Sequence, residues 1–285
     1  MPGQHAPLRY IRLKLAMTTL RAIRRKIRIP SRDGGRTITA FLYTRRDAPS
    51  GEGALSPVLL NWHGSGFVIN AFGTDADFCA RVARDARIAV LDLDYRKSPE
   101  TVFPGAVNDV ADVLDWVAAD SDAGARQMYG LDPSRVAVSG FSAGGNLALV
   151  AASSLHGQVP GLDLRAAVAF YPVTDISIGP AAKVAPKPKR VLPVPLQRYF
   201  NECYTPDPAD RLDPRVSPSL ADLASYPPTV AIFTCDGDGL APEANALADR
   251  LNVGDAAWCI ACWRMSRTPL TRGARKGRWS GGSAR

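Results

Sequence analysis

Residues 140–145 read Gly-Phe-Ser-Ala-Gly-Gly, between the apolar run 135–139 and a small-residue helix pattern from 146 to 152. The spacing G-x-S-x-G at a strand-to-helix junction is typical of a sharp turn that lifts a serine hydroxyl clear of a sheet. Only small residues fit at Gly140 and Gly144, because the turn is so tight. The pattern therefore predicts an alternating strand-and-helix fold with Ser142 as its nucleophile.

The remaining pattern supports an α/β fold with a mostly parallel central sheet, helices on both faces and a lid. Alternating apolar runs predict strands, and period-3.6 runs predict helices. The strands are predicted at 25–29, 37–43, 58–62, 88–93, 135–139, 165–171 and 229–234, and the helices at 75–87, 106–119 and 242–251.

Three segments are expected along the chain. Residues 1–26 form a basic segment with an Arg-rich amphipathic pattern over 8–26, which we interpret as a cap helix. A mitochondrial transit peptide or a lipid-surface anchor are the alternatives for this pattern. A single domain is expected over 27–253, with a proline-rich lid at about 174–212, followed by a basic tail over 254–285.

The net charge of +8 belongs to the two ends of the chain. Residues 1–32 carry nine Lys or Arg and no acid, and residues 256–285 carry seven and no acid. The middle, 33–255, has all 27 acidic residues against 19 basic ones, a net charge of −8. We therefore expect no nucleic-acid binding by the fold.

Localisation is expected to be cytoplasmic. No apolar run approaches the roughly 18 residues of a membrane span. Five cysteines are an odd and sparse set for 285 residues, which favours free thiols in a reducing compartment. The acid-free, Arg-rich N-terminal segment leaves a mitochondrial location as the minor alternative.

A glycine-rich turn, His63-Gly64-Ser65-Gly66-Phe67, directly follows the predicted strand 58–62. Acyl transfer needs backbone N–H donors aimed at the developing oxyanion, and glycine lets the backbone approach a substrate closely. The expected donors are the N–H groups of Ser65, Gly66 and Ala143.

The chain resembles the hormone-sensitive-lipase-like branch of the α/β-hydrolases, which are carboxylic ester hydrolases. The motifs that carry the resemblance fall in order within about 27–251: HGSGF (63–67), DYRKSPE (94–100), FPGAVNDV (103–110), LDPSRVAVSGFSAGGNLA (131–148), YPVTD (171–175) and DGL (238–240). The resemblance implies the α/β-hydrolase fold, a small apolar ester as substrate, and neither a metal nor an organic cofactor. It leaves the oligomeric state open.

The resemblance also assigns roles to residues outside the turn at Ser142. Asp238, in the D-x-L turn after strand 229–234, would hold a histidine in one tautomer. Its neighbour Asp236 is the alternative, as a turn-capping residue. His63 would brace the oxyanion loop rather than act as a base.

The histidine that Asp238 should orient is not found. None of the 47 residues after Asp238 is histidine, and the three histidines are His5, His63 and His156. A helix rises about 1.5 Å per residue, so His156 should lie on the order of 20 Å from Ser142. We therefore expect ester turnover by this chain to be impaired.

Two explanations for the missing base remain open. The tail 254–285 has the composition expected of a shifted reading frame or a missed splice, in which case the last strand and helix are missing or aberrant and the tail is disordered. Alternatively, the protein has lost its base and only binds a small molecule. Plant gibberellin receptors, which are similar to this family with the histidine replaced, are a precedent.

The pair Cys259 and Cys262 predicts no metal site, because no second pair of ligands follows.

Overall fold

The computed structural model describes residues 22–45, 54–185, 192–235 and 237–252, and the backbone of 263–265. These residues form a sheet of eight strands in the order β1-β2-β4-β3-β5-β6-β7-β8. The strands are β1 Ala22–Pro30, β2 Thr37–Arg45, β3 Ser56–Trp62, β4 Ala89–Leu93, β5 Leu131–Phe141, β6 Leu164–Phe170, β7 Thr229–Cys235 and β8 Trp263–Met265. β1, β2 and β4 pair antiparallel, and every pairing from β4 to β8 is parallel.

Helices cover both faces of the sheet. They are α1 Ala76–Asp85, α2 Gly105–Ala118, α3 Ala125–Tyr129, α4 Ala143–Val150, α5 Val194–Tyr204 and α6 Ala241–Leu251. On one face, α1 packs Cys79, Ala80 and Ala83 into a small cluster with residues of β2, β3 and β4. On the other face, α2, α4 and α6 pack on the main core. The predicted fold class is confirmed, and two helices were missed: the five-residue α3, and α5 within the predicted lid.

The N-terminal helix prediction is wrong over residues 22–26, which belong to β1. Ile27 and Ile29 of β1 are buried and lie opposite Ala40 and Ile38 of β2. Pairing with β2 therefore decides the conformation of a stretch whose sequence pattern also fits a helix. The rest of the predicted cap helix lies outside the described residues.

A short strand occupies the edge at which the sequence predicts a missing or aberrant strand. Trp263–Met265 runs parallel to β7, with Phe233 opposite Trp263. It has three residues, whereas strands usually have about five or six. The other residues of the tail, including Cys259 and Cys262, lie outside the described residues.

A row of polar side chains crosses the face of the sheet that α1 covers. The strand register places Asn61 of β3 between Asp92 of β4 and Ser139 of β5, and all three are fully buried. Ser139 Oγ donates to Asn61 Oδ1 at 2.8 Å, and Asn61 Nδ2 donates to Asp75 Oδ2 at 3.0 Å. Neither carboxylate oxygen of Asp92 has a hydrogen bond among the described residues. The row lies in the same strands that lead to the HGSG turn and to Ser142.

This row predicts that the protein loses stability between mildly acidic and mildly alkaline pH. Burial, and then the charges of Asp75 and Asp94, raise the pKa of Asp92 to about 7, while Asn61 and Arg24 oppose the shift. The folded state therefore holds this proton more tightly than the unfolded chain, whose Asp pKa is about 3.9. The stabilisation is complete below that value and is lost as the pH rises through 7.

We expect Asp92→Asn to remove about 2–3 kcal/mol of the stability difference between about pH 5 and about pH 8. Urea unfolding of both proteins at the two pH values measures it. Asp163→Asn, on an exposed pair with Arg165, is the matched control. Parallel pH profiles for the wild type and Asp92→Asn would show that Asp92 does not titrate in this range.

Candidate active site

Ser142 lies at the junction of β5 and α4 in a strained backbone conformation. Its φ is 52° and its ψ is −115°, a region that residues with a side chain rarely adopt and that costs about 1–3 kcal/mol. Its N–H donates to Phe170 O at 2.9 Å, and its carbonyl oxygen accepts from Asn146 N at 3.0 Å. Bonds to the neighbouring strand and to the following helix therefore hold the sharp turn that the motif predicts.

Two glycines allow the chain to turn at this point. A Cβ added to Gly140 would lie 2.2 Å from Gly144 O, and one added to Gly144 would lie 2.0 Å from Trp62 O. Both of these contacts are with backbone, which cannot move aside without disturbing the sheet. The small residues at these positions are therefore a steric requirement of the turn.

The HGSG turn lies against the turn at Ser142. A Cβ added to Gly64 would lie 3.0 Å from Phe141 O and 3.4 Å from Ser142 Cβ. Gly66 has a φ of 58°, which a glycine adopts without strain. The loop that carries the Ser65 and Gly66 amides thus packs on the turn that carries the Ala143 amide.

Ser65 forms hydrogen bonds within its loop and to Tyr95, which follows β4. Its Oγ lies 2.5 Å from Tyr95 Oη and accepts from Phe67 N at 2.9 Å. Tyr95 Oη in turn donates to His63 O at 2.9 Å. These bonds stabilise the loop conformation that presents the backbone amides.

His63 is fully buried on the inner side of this loop. Its Nδ1 lies 3.2 Å from Gly64 O, and its Nε2 lies 3.6 Å from Asp94 Oδ1. Burial would raise the pKa of Asp94, but its contacts with His63 and Lys97 prevail and hold it at about 2. The ring of His63 also stacks on Tyr95, with centroids 4.8 Å apart. All of these contacts tie His63 to the loop and its support.

The other described histidine is engaged elsewhere. His156 follows α4 and begins a short 3₁₀ turn, and its Nε2 donates to Ser225 O at 2.8 Å. His5 lies outside the described residues. Among the hydrogen bonds of the described residues, neither His63 nor His156 contacts Ser142.

Asp238 lies in the turn between β7 and α6. Its N–H donates to Cys235 O at 2.9 Å, and its Oδ1 accepts from Leu240 N at 3.0 Å. Burial raises the pKa of its carboxyl, while the bond from Leu240 and the positive charge of Lys183 oppose the shift. The alternative acid, Asp236, lies outside the described residues.

Tyr171 stands between the serine and the acid. It directly follows β6, which lies between β5 and β7, and its N–H donates to Phe233 O at 2.6 Å. Its ring centroid is 5.9 Å from that of Phe141, the residue before Ser142. Burial and the nearby charges, Asp238 among them, raise the pKa of Tyr171 to about 12. The fold therefore brings the Ser142 and Asp238 turns to one edge, where parallel strands end.

A buried ion pair, Lys183–Glu243, lies close to the turn of Asp238, and no pattern in the sequence predicts it. Lys183 Nζ lies 2.6 Å from Glu243 Oε2, and both side chains are 4% exposed. Lys183 Nζ also donates to Asp175 O at 2.6 Å, and Glu243 Oε1 accepts from Thr174 N at 2.9 Å. The pair joins the first part of the predicted lid to the helix that follows Asp238.

Helix α5 of the predicted lid rests on the HGSG turn. A Cβ added to Gly66 would lie 2.4 Å from a ring carbon of Phe200. The rings of Phe67 and Tyr204 stack with centroids 3.8 Å apart, and Phe103 N donates to Tyr204 O at 2.9 Å. Phe200 and Tyr204 were not predicted as site residues, since the proline-rich stretch around them has no strong period.

Comparisons with known proteins agree on one family. A family model described as alpha/beta hydrolase fold matches residues 59–262. Ethyl acetate hydrolase of Pseudomonas putida is 32% identical over 234 residues, covering 82% of this chain and 71% of that enzyme. Carboxylic ester hydrolase LipN of Mycobacterium tuberculosis is 33% identical over 226 residues, covering 75% of this chain and 56% of that enzyme, less than two thirds of its length.

A solved esterase structure is similar to this chain in both sequence and fold. The esterase of the hyperthermophilic archaeon Pyrobaculum calidifontis superposes with a TM-score of 0.72 at 30% identity, over 90% of this chain and 82% of that one.

No helix within the described ranges is long and apolar enough to cross a membrane.

Proposed function

Because the chain belongs to the alpha/beta hydrolase family, as a carboxylesterase-like serine hydrolase, we propose that it acts on small apolar carboxylic esters through Ser142. The names of the relatives, an ethyl acetate hydrolase and a carboxylic ester hydrolase, support this substrate class. The working unit is a single domain that begins with β1 at Ala22, with a lid at about 174–212.

Ser142 Oγ would attack the ester carbonyl, expel the alcohol and form an acyl-enzyme, which water then hydrolyses. The N–H groups of Ser65, Gly66 and Ala143 would stabilise the oxyanion. The observation that carries the proposal is the strained turn at Ser142 with the HGSG turn packed on it. Holding a hydroxyl in this way has a cost in stability, and sites that bear such strain are often functional.

Turnover is proposed to be impaired because the chain lacks a histidine for Asp238 to orient. In serine hydrolases the imidazole takes the serine proton, and the acid holds the imidazole in place. Both described histidines have other partners, which supports this part of the proposal. The groups that remain would be the N–H donors that stabilise the oxyanion and the serine itself.

Covalent labelling tests the role of Ser142. We expect a fluorophosphonate probe to form an adduct on Ser142 slowly, with loss of fluoride, and Ser142→Ala to form none. The matched control is Ser139→Ala, three residues earlier on β5, whose hydroxyl is fully buried and bound to Asn61. Peptide mass spectrometry locates the adduct, and an adduct elsewhere would refute the role of Ser142.

A second candidate function is binding of a small apolar ligand without turnover. The engagement of His63 and His156 away from Ser142 favours it. This function predicts saturable uptake of a short ester in equilibrium dialysis, no product, and the same affinity in Ser142→Ala. Product release that depends on Ser142 would exclude it.

A further inference from the structure

Strand β1 presents a row of three cations on one face. Arg24, Lys26 and Arg28 alternate along the strand, so their side chains lie on the same side. All three are exposed, and neighbours in the row are about 7 Å apart along the strand. β1 is the edge strand of the sheet and pairs with β2 on one side.

No acid among the described residues forms an ion pair with these three cations. Arg32 and Arg36, close by in sequence, instead pair with Asp112 and Asp109 of α2. The guanidinium of Arg24 lies 4.6 Å from the ring centroid of Phe41, and its charge also acts on the buried Asp92, with which it forms no ion pair. The positive potential of this face is therefore directed to the solvent.

Apolar groups accompany the row. Ile23, next to Arg24, is 49% exposed, although the alternation of the strand places its side chain on the opposite face from the three cations. The sequence before β1 adds four more basic residues and no acid within 1–21, together with aliphatic residues at positions 8, 11, 15 and 20. A sequence in which basic and aliphatic residues are interleaved fits the headgroup and upper acyl region of a lipid layer.

We propose that the face formed by Arg24, Lys26 and Arg28 docks on a membrane that contains anionic phospholipid. Residues 33–255 carry a net charge of −8, which would repel a long nucleic acid running past the patch, whereas a flat membrane meets this edge alone. The aromatic ring at the patch, Phe41, is covered by Arg24 and stacked on Phe72 with centroids 4.8 Å apart. It offers no free surface on which a base could stack.

Vesicle co-sedimentation of the full chain tests the proposal. We expect binding to vesicles of phosphatidylcholine with phosphatidylglycerol, and none to phosphatidylcholine alone. A basic residue near an anionic membrane strengthens binding about fivefold, so Arg24→Gln/Lys26→Gln/Arg28→Gln should bind about 100-fold more weakly. Binding should also fall steeply with salt, because ions screen the attraction.

The matched control is Arg135→Gln/Arg165→Gln/Arg198→Gln, which changes the net charge equally at exposed residues outside β1 and β2. It should bind anionic vesicles as the wild type does. Equal loss in both variants would make the effect one of net charge, and no loss in the β1 variant would assign binding to residues before β1. Either result overturns the proposal, as would tighter binding to duplex DNA or RNA than to the anionic vesicles.

Discussion

The purified chain is expected to hydrolyse short p-nitrophenyl esters about 10⁶-fold more slowly than an intact family member, a loss of the size seen when a serine protease loses its base. A residual rate about 10³–10⁴-fold above water should persist, because oxyanion stabilisation and binding do not need the imidazole. On the proposed mechanism, the HGSG turn and the Ala143 amide would supply the oxyanion stabilisation. Initial rates at saturating ester measure the effect, with the Pseudomonas putida ethyl acetate hydrolase as the reference enzyme.

Two controls locate the defect in proton transfer. Ser142→Ala should leave the residual rate nearly unchanged, because losing the serine costs little more once the base is absent. Ser139→Ala, at a buried serine of β5, should also change it little if the protein folds. Added imidazole should raise the rate of the wild type and not that of Ser142→Ala, because a free base can accept the serine proton. A rate near that of the reference enzyme, abolished by Ser142→Ala, would mean that this chain supplies a base of its own.

Glu243→Gln is expected to lower the free energy of unfolding by about 3–5 kcal/mol, because it leaves the ammonium of Lys183 buried without its counter-charge. Both side chains of the pair are 4% exposed, so little solvent is available to replace the lost carboxylate. The amide oxygen of glutamine can still accept from Thr174 N, which confines the change mainly to the charge. Chemical denaturation near neutral pH measures the loss.

A double-mutant cycle separates this ion pair from simple packing. Lys183→Met should destabilise the protein by a similar amount. It leaves the carboxylate of Glu243 buried without a counter-charge, and it leaves Asp175 O without its hydrogen-bond donor. The double variant Lys183→Met/Glu243→Gln should recover much of the loss, because no unpaired buried charge remains. Strictly additive single losses would contradict a direct interaction between the two residues.

The order of strands and helices follows from the sequence because each signal is local. The runs 58–62 and 135–139 are apolar, and the observed strands Ser56–Trp62 and Leu131–Phe141 contain them. The spacing of small residues around Ser142 predicts the sharp turn for a steric reason that the structure makes explicit at Gly140 and Gly144. The start of β1 was predicted too late, because an amphipathic helix and a half-buried strand overlap in residues 22–26.

The buried contacts around the candidate site were harder to predict from the sequence. Lys183 and Glu243 are 60 residues apart, and Lys183 belongs to a proline-rich stretch without a regular period. Asn61 and Asp92, predicted only as members of strands, turned out to be neighbours in a buried polar row. Nothing in the local pattern of either segment specifies such a partner.

The sequence alone determined the family and the α/β architecture, and it singled out Ser142 as the candidate nucleophile, since these depend on motifs and periodicities within short stretches of the chain. It also determined the number and positions of the histidines. Only the tertiary structure decided that Asp92 is buried without a hydrogen bond among the described residues and that Lys183 meets Glu243. The physical reason is that burial and charge pairing depend on which distant strands and loops become neighbours, and a linear pattern does not encode that proximity.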